Sequence, residues 1–405
     1  MSRTHQKHPS PVEEVRVVIP QGAMIAGKYR VDDLLAVGGM GMVFAGVHVE
    51  LDQRVAIKVV RPELSHNEEA VTRFLNEARA AARLRGQHVA RVLDSGRLDS
   101  GIPYLVMEFL DGADLCKVLR RSGPLPVSAA VHYLLQACEA IAEAHAEGIV
   151  HRDLKPENLF LIRAPDGSPV VKVLDFGISK RQSADAKSLT DPTRGIGSPN
   201  YMSPEQMVAP ETVDHRSDVW SLGAVLYELL AGHPPFQGHT LPAICVKVLR
   251  EQPPSLTGQR PDVPVGIEHV VMRCLSKRRE ERFASVAELA HELSAFAPEA
   301  ARALASRAER ILQRSGRDSG TTPLPLVLPP LSPNDRPSGQ RPGRVAPKRK
   351  RTTSWLLFLA VAAVGVAGGW QWSSWDRIAK RRQTLGSPDN RPFAPAPSDA
   401  GSDAP

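Results

Sequence analysis

Cysteine is scarce: only Cys116, Cys138, Cys245 and Cys274 occur in 405 residues. They form no C-x-x-C pair and adjoin no histidine cluster, so neither a zinc site nor a disulfide framework is indicated, which fits a reducing compartment. The opening stretch, Met1 to Gln21, lacks an apolar h-region. It therefore reads as a flexible lead-in, not a secretory signal. Residues 1–300 also lack a strong excess of either charge, with 34 Lys/Arg against 37 Asp/Glu. The length exceeds what one hydrophobic core usually organises, so a single small module is excluded.

Hydrophobic residues at 42% and charged residues at 23% suit a globular protein. The net charge of +7 is concentrated near the C-terminus, where residues 301–382 carry 16 Lys/Arg and 4 Asp/Glu. Short Val/Ile/Leu-rich runs dominate to about Phe109, as in Val55-Ala56-Ile57-Lys58-Val59-Val60. Helical spacing dominates afterwards, as in Ala129 to His145. Strands followed by helices imply an α+β protein with two lobes.

The tail is different. Residues 297–322 read as an Ala/Arg-rich helix fraying into Ser/Gly sequence, and Pro323 to Pro347 holds 8 prolines, the composition of a semi-extended spacer. Lys348-Arg349-Lys350-Arg351 precedes an apolar run, with no charge between Arg351 and Asp376. As a helix, residues 355–375 would reach about 31 Å, close to the hydrocarbon thickness. Trp355, Trp370, Trp372 and Trp375 lie at its two ends, where amphipathic rings meet the interface. A transmembrane helix is expected; the alternative is an interfacial anchor or a partner-binding helix. Gly365 and Gly369 could let two such helices approach. The basic cluster beside this run suits acidic lipid headgroups, so no nucleic-acid partner is expected.

The most specific string is His151-Arg152-Asp153-Leu154-Lys155-Pro156-Glu157-Asn158, followed by Asp175-Phe176-Gly177. Upstream lie Val55-Ala56-Ile57-Lys58 and Val37-Gly38-Gly39-Met40-Gly41-Met42-Val43. Downstream come Gly197-Ser198-Pro199 through Ser203-Pro204-Glu205, then Asp218-Val219-Trp220-Ser221-Leu222-Gly223, and Cys274-Leu275 with Arg282. In this order and separation the set resembles the bacterial eukaryotic-like (Hanks-type) serine/threonine protein kinases, over roughly Lys28–Phe296.

The resemblance implies a two-lobed fold, with a strand-rich N-lobe and a larger helical C-lobe. It also implies transfer of the ATP γ-phosphate to protein Ser/Thr hydroxyls, assisted by Mg²⁺ with Mn²⁺ as an alternative. Phosphoryl transfer needs positioning and charge neutralisation more than covalent chemistry. In the implied assignment Asp153 orients the substrate hydroxyl and accepts its proton, Lys155 neutralises the transferred group, and Asn158 and Asp175 hold the metal. Lys58 holds the α- and β-phosphates and is fixed by Glu77. The loop Ala36, Val37, Gly38, Gly39, Met40, Gly41, Met42 and Val43 covers the phosphates. Glycines there let backbone N–H groups approach closely. Met107 is the gatekeeper, Glu108 and Leu110 offer backbone groups to adenine, and Asp114 reaches the ribose. Val43, Ala56 and Phe160 sandwich the ring. Glu205 and Arg282 form a structural ion pair, and Arg152 answers a phosphorylated activation segment, for which Thr190 and Thr193 are the foremost candidates. Ser198 stands where such kinases place a hydroxyl beside Lys155.

Ala36 departs from the pattern by replacing its first glycine, and weaker nucleotide affinity is expected. Ser203 and Arg279 also depart from it, away from the chemistry. The expected organisation is a flexible 1–27, a kinase domain over 28–296 with its lobes meeting near 108/109, a basic linker over 297–354, a transmembrane helix over 355–375 and a short extracytoplasmic tail over 376–405. The expected place is the inner membrane with the kinase lobes in the cytosol, or a peripheral or cytoplasmic location. Expected partners are Ser/Thr-containing proteins, the membrane, and a second copy for phosphorylation in trans. The alternative function is a pseudokinase scaffold that binds nucleotide or partners without turnover.

Overall fold

The computed structural model describes residues 19–176 and 199–318. The N-terminal lobe is a six-stranded antiparallel sheet in the order β1-β2-β3-β4-β6-β5. Its strands are β1 (Met24–Ile25), β2 (Tyr29–Val37), β3 (Gly41–His48), β4 (Gln53–Val60), β5 (Val92–Arg97) and β6 (Pro103–Glu108). A short helix α1 (Pro62–Ser65) and a longer α2 (Glu68–Arg83) follow β4. Asn67 starts α2 by accepting the Ala70 N–H, and Glu68 and Glu69 lie in the first turn, where they complement the helix dipole. Ala70, Phe74 and Ala78 recur every four residues as its buried stripe.

Alternation along the strands divides the sheet into two faces. Met42, Phe44, Ile57, Val59, Tyr104 and Val106 enter the lobe's core with Phe74. On the other face Val43 lies opposite Lys58, Ala45 opposite Ala56, and Leu105 and Met107 opposite Lys58 and Ala56. Ile19 and Ile25 are also buried in this core. The ordered lobe thus begins ahead of the expected Lys28 boundary.

The C-terminal lobe opens with β7 (Gly112–Asp114), α3 (Leu115–Ser122), α4 (Val127–Ala146), β8 (Leu159–Arg163) and β9 (Pro169–Val173). The three strands form a small sheet in the order β7-β8-β9. Next come α5 (Pro204–Val208), α6 (Arg216–Ala231), α7 (Leu241–Arg250), α8 (Leu256–Gln259), α9 (Val265–Cys274), α10 (Val286–Ser294) and α11 (Glu299–Asp318). Almost every side chain of α6 is buried, as a helix apolar on all sides requires. Gly232 ends it with a left-handed φ of 84° while its N–H bonds the Glu228 carbonyl at 2.8 Å. Leu134, Leu135 and Ile141 of α4 pack with Trp220 and Tyr227 of α6 in one core.

Helix α11 forms where an Ala/Arg-rich helix was expected, but it continues this core instead of opening a linker at residue 297. Its Ala301, Leu304, Ala305 and Ala308 are buried with the lobe. Arg307 reaches Glu139 of α4 at 2.8 Å, and the Ser315 hydroxyl donates to the Ala146 carbonyl at 2.7 Å. Among the described residues no helix is long and apolar enough to cross a membrane. The 355–375 segment lies outside them, as do Gly177, Thr190, Thr193, Ser198 and the 376–405 tail.

Candidate active site

The site lies where the cleft face of the N-lobe sheet meets the loop after α4 and the end of β9. Lys58 projects from β4, and its ammonium meets Asp175 Oδ1 at 2.5 Å. Burial alone would lower the lysine's pKa, but the carboxylates of Asp175, Glu77 and Asp153 raise it. Desolvation conversely favours the neutral Asp175 acid, yet Lys58, with Lys155 beside it, holds its pKa below the ordinary value. Both groups are therefore charged at neutral pH. Glu77, one position before the buried Ala78, lies in α2 and acts on Lys58 through its charge.

The loop between α4 and β8 carries the remaining polar groups. Asn158 donates to the Asp153 carbonyl at 2.7 Å and approaches the Asp153 carboxylate at 3.4 Å. Lys155 Nζ lies 3.5 Å from the same carboxylate. Arg152 and Asp175 have φ values of 63° and 47°. Such left-handed backbone on non-glycine residues is held by its surroundings, a pattern that concentrates at functional sites.

What holds Arg152 is Asp218, a residue noted from sequence only as part of a motif. Its fully buried carboxylate accepts the His151 N–H at 2.8 Å and the Arg152 N–H at 2.9 Å. His145 Nε2 meets it at 2.8 Å. Burial would raise the Asp218 pKa, but these partners lower it, so the anchor stays ionised. His151 adds a second brace: its Nε2 lies 2.9 Å from the Leu174 carbonyl and its ring packs 4.8 Å from that of Phe176. Its Nδ1 accepts the Asp153 N–H at 3.3 Å, which assigns the proton to Nε2. Burial lowers the His151 pKa and keeps the ring neutral.

Other expected site residues occupy several different settings. Val43, Ala56 and Met107 share the cleft face with Lys58, and the strand register adds Ala45 and Leu105 to it. Met42 is 1% exposed in the N-lobe core, so its side chain is not available to a ligand in the cleft. Gly38, Gly39 and Met40 form the turn between β2 and β3, with Gly38 N–H bonded to the Gly41 carbonyl at 2.8 Å. The need for glycine at Gly41 is internal, since a Cβ there would lie 2.5 Å from the Val59 carbonyl oxygen. Ala36 sits in β2 opposite Val43 without a positive φ, so the backbone does not demand glycine there. The neighbouring Val37 is exposed.

Asp114 differs most from expectation. Its Oδ1 caps α3 by accepting the Lys117 N–H at 2.8 Å, and its Oδ2 pairs with Lys117 Nζ at 3.0 Å. Reaching a ribose would require that pair to open. Phe160 faces Lys172 across β8 and β9, and Glu108 and Leu110 lie at and just beyond the end of β6. Glu205 and Arg282 form a bidentate pair at 2.6 and 2.8 Å, with the Arg282 side chain fully buried. Arg152 donates to the Val213 carbonyl at 3.3 Å.

A divalent cation with oxygen ligands suits this donor set. Asn158 commits its amide nitrogen to Asp153, which leaves the carbonyl end of the amide for a hard cation, and Asp175 is ionised. Two such residues cannot complete six-fold coordination. A divalent cation held by these residues would need further oxygen ligands.

Comparison with known proteins agrees with this arrangement. Residues 29–294 match the protein kinase domain family. The chain is 38% identical to serine/threonine-protein kinase Pkn1 of Myxococcus xanthus over 338 residues, covering 84% of this chain and 47% of that protein. It is 35% identical to serine/threonine-protein kinase PknB of Mycobacterium leprae over 327 residues, 79% of this chain and 52% of the other. The chain thus spans about half the length of these relatives. The crystal structure of the Mycobacterium tuberculosis PknI kinase domain superposes with a TM-score of 0.53 at 29% identity, covering 69% of this chain and 99% of the other. The two-lobed fold, the braced catalytic loop and the family match lead to one conclusion: the chain belongs to the protein kinase family.

Proposed function

We propose that this protein is an ATP- and Mg²⁺-dependent serine/threonine protein kinase. The carrying observation is the convergence of Lys58, Asp153, Asn158 and Asp175, centred on the 2.5 Å contact between Lys58 and Asp175. In this reading Lys58 turns from Asp175 toward the α- and β-phosphates while Glu77 keeps its charge compensated. Asn158 and Asp175 would hold Mg²⁺, which supplies neutralisation of phosphate charge. Asp153 orients the incoming hydroxyl and takes its proton, and Lys155 beside it offsets negative charge on the transferred group. The named activities of the relatives support serine/threonine specificity. The presence of all four polar residues disfavours the pseudokinase alternative.

The expected test result is ATP-dependent phosphorylation of a generic basic protein by the wild type. Asp153→Asn should lower kcat by about 10²–10⁴-fold, the usual worth of a general base. A folded wild type that binds nucleotide without turnover would establish the scaffold reading instead. We also propose that residues 355–375 anchor the chain in the inner membrane with its lobes in the cytosol. Phosphorylation of Thr190 or Thr193 would then recruit Arg152, and self-association would serve phosphorylation in trans.

A further inference from the structure

The segment joining the lobes is pinned from behind by a partly buried ion pair. Glu108 ends β6, and alternation sends its side chain away from the cleft face occupied by Leu105 and Met107. Its Oε1 accepts from Lys172 Nζ at 2.8 Å and from the Arg91 N–H at 2.8 Å. The Glu108 N–H in turn donates to the Arg91 carbonyl at 2.9 Å. The side chains of Lys172 and Glu108 are only 10% and 25% exposed.

Lys172 belongs to β9, three residues before Asp175, and also reaches the Val89 carbonyl at 3.4 Å. The segment beneath it is fixed on both sides, with Val173 N–H bonded to the His88 carbonyl at 2.8 Å and Ala90 N–H to the Val173 carbonyl at 3.1 Å. Lys172 also faces Phe160, the residue read as the floor of the ring site. One buried ammonium thus joins the backbone that would bond adenine to the strand that delivers Asp175.

We propose that Lys172 is a positioning residue for the nucleotide: through Glu108 it fixes the hinge backbone at the distance and tilt that adenine recognition requires. This rests on the kinase reading above. Neither residue touches the ligand by its side chain. Lys172→Met keeps the buried stem but strands the Glu108 carboxylate with one N–H partner. A partly buried carboxylate seeks compensation, and the hinge moves to provide it.

The experiment compares wild type, Lys172→Met, Glu108→Gln and the double variant, using MgADP titration calorimetry and ATP-dependent phosphorylation of a basic protein. Lys172→Met should weaken MgADP binding and raise KM for ATP about tenfold, with kcat at saturating ATP within about twofold, because a charge-assisted bond is lost away from the reacting atoms. The double variant, which removes both charges, should bind MgADP better than Lys172→Met alone. Equal MgADP affinity in wild type and Lys172→Met, or a fall in kcat at unchanged KM, overturns the proposal. Should Lys172→Met not fold, Glu108→Gln reads the same strut while keeping volume and the Arg91 acceptor, and unchanged affinity there overturns it equally. A wild type that binds no MgADP overturns the nucleotide reading, and this inference with it. Wild-type binding without discrimination by the variants defeats the strut alone.

Discussion

At the scale of single residues, competing electrostatic costs decide what each buried charge does. Lys277 is a clear case. Among the described residues its Nζ is buried without a hydrogen-bond partner, 4.1 Å from the Phe236 ring centroid and 5.0 Å from that of Trp220. Ring faces attract the cation by about 0.5–2 kcal/mol each. Burial, and then the charge of Arg282, nevertheless push the pKa down to about 8 from 10.5. The native state then binds fewer protons than the unfolded chain between those values. The group's unfavourable contribution is full below pH 8 and is relieved as pH rises toward 10.5. Lys277→Met should therefore melt above the wild type at pH 7, with the gap narrowing by pH 10. A variant that melts lower at pH 7 would show the ring contacts winning. Of the residues near the chemistry, those in contiguous motifs were legible because their separation along the chain is itself distinctive. The anchoring role of Asp218, and His145 and Lys172 altogether, were not, since these contacts span 64 to 73 positions and only the fold brings the groups close.

Elements were legible in proportion to the strength of their periodicity. Helix α4 follows from apolar residues at three- and four-residue spacing, and β4 from its β-branched run. The docking of α11 was hidden by composition. Its buried stripe is mostly alanine, at Ala301, Ala305 and Ala308 around Leu304, with Ile311 and Leu312 packed beside it. Alanine scores as weakly apolar, and the many arginines between make the sequence resemble a solvated linker. Packing overrides that impression, because alanines allow the close approach to α4. Leu304→Ala should accordingly cost about 2–3 kcal/mol. For a domain of this size that is a fall in Tm of roughly 4–12 °C. Exposed Arg302→Ala on the opposite side should change stability by no more than about 0.5 kcal/mol. Equal melting of wild type and Leu304→Ala would mean that α11 does not pack as described. Glu205 and Arg282 could be paired from the family pattern, whereas the burial of the Met42 side chain in the N-terminal lobe could not be read from it. An ion pair is a property of residue types, whereas the direction of a strand side chain depends on register, which places Met42 opposite Val59 on the core face.

On the scale of the whole molecule the charge distribution separates catalysis from location. Residues 1–300 hold 34 basic against 37 acidic side chains, so this part has no net attraction to an anionic bilayer. The six basic residues between Arg341 and Arg351 immediately precede the apolar run. Near an acidic leaflet each is worth about 1 kcal/mol, a contribution that salt screens within a Debye length. Burial of the apolar run in hydrocarbon is insensitive to salt and to alkali. The two modes of attachment therefore separate by extraction. The full chain expressed in a bacterial host should stay with membranes through both high salt and alkaline carbonate, and a chain ending at Ser354 should be released by salt. Release of the full chain by carbonate would reject a span at 355–375. Retention of the shortened chain after both washes would move the anchor to another part of the protein.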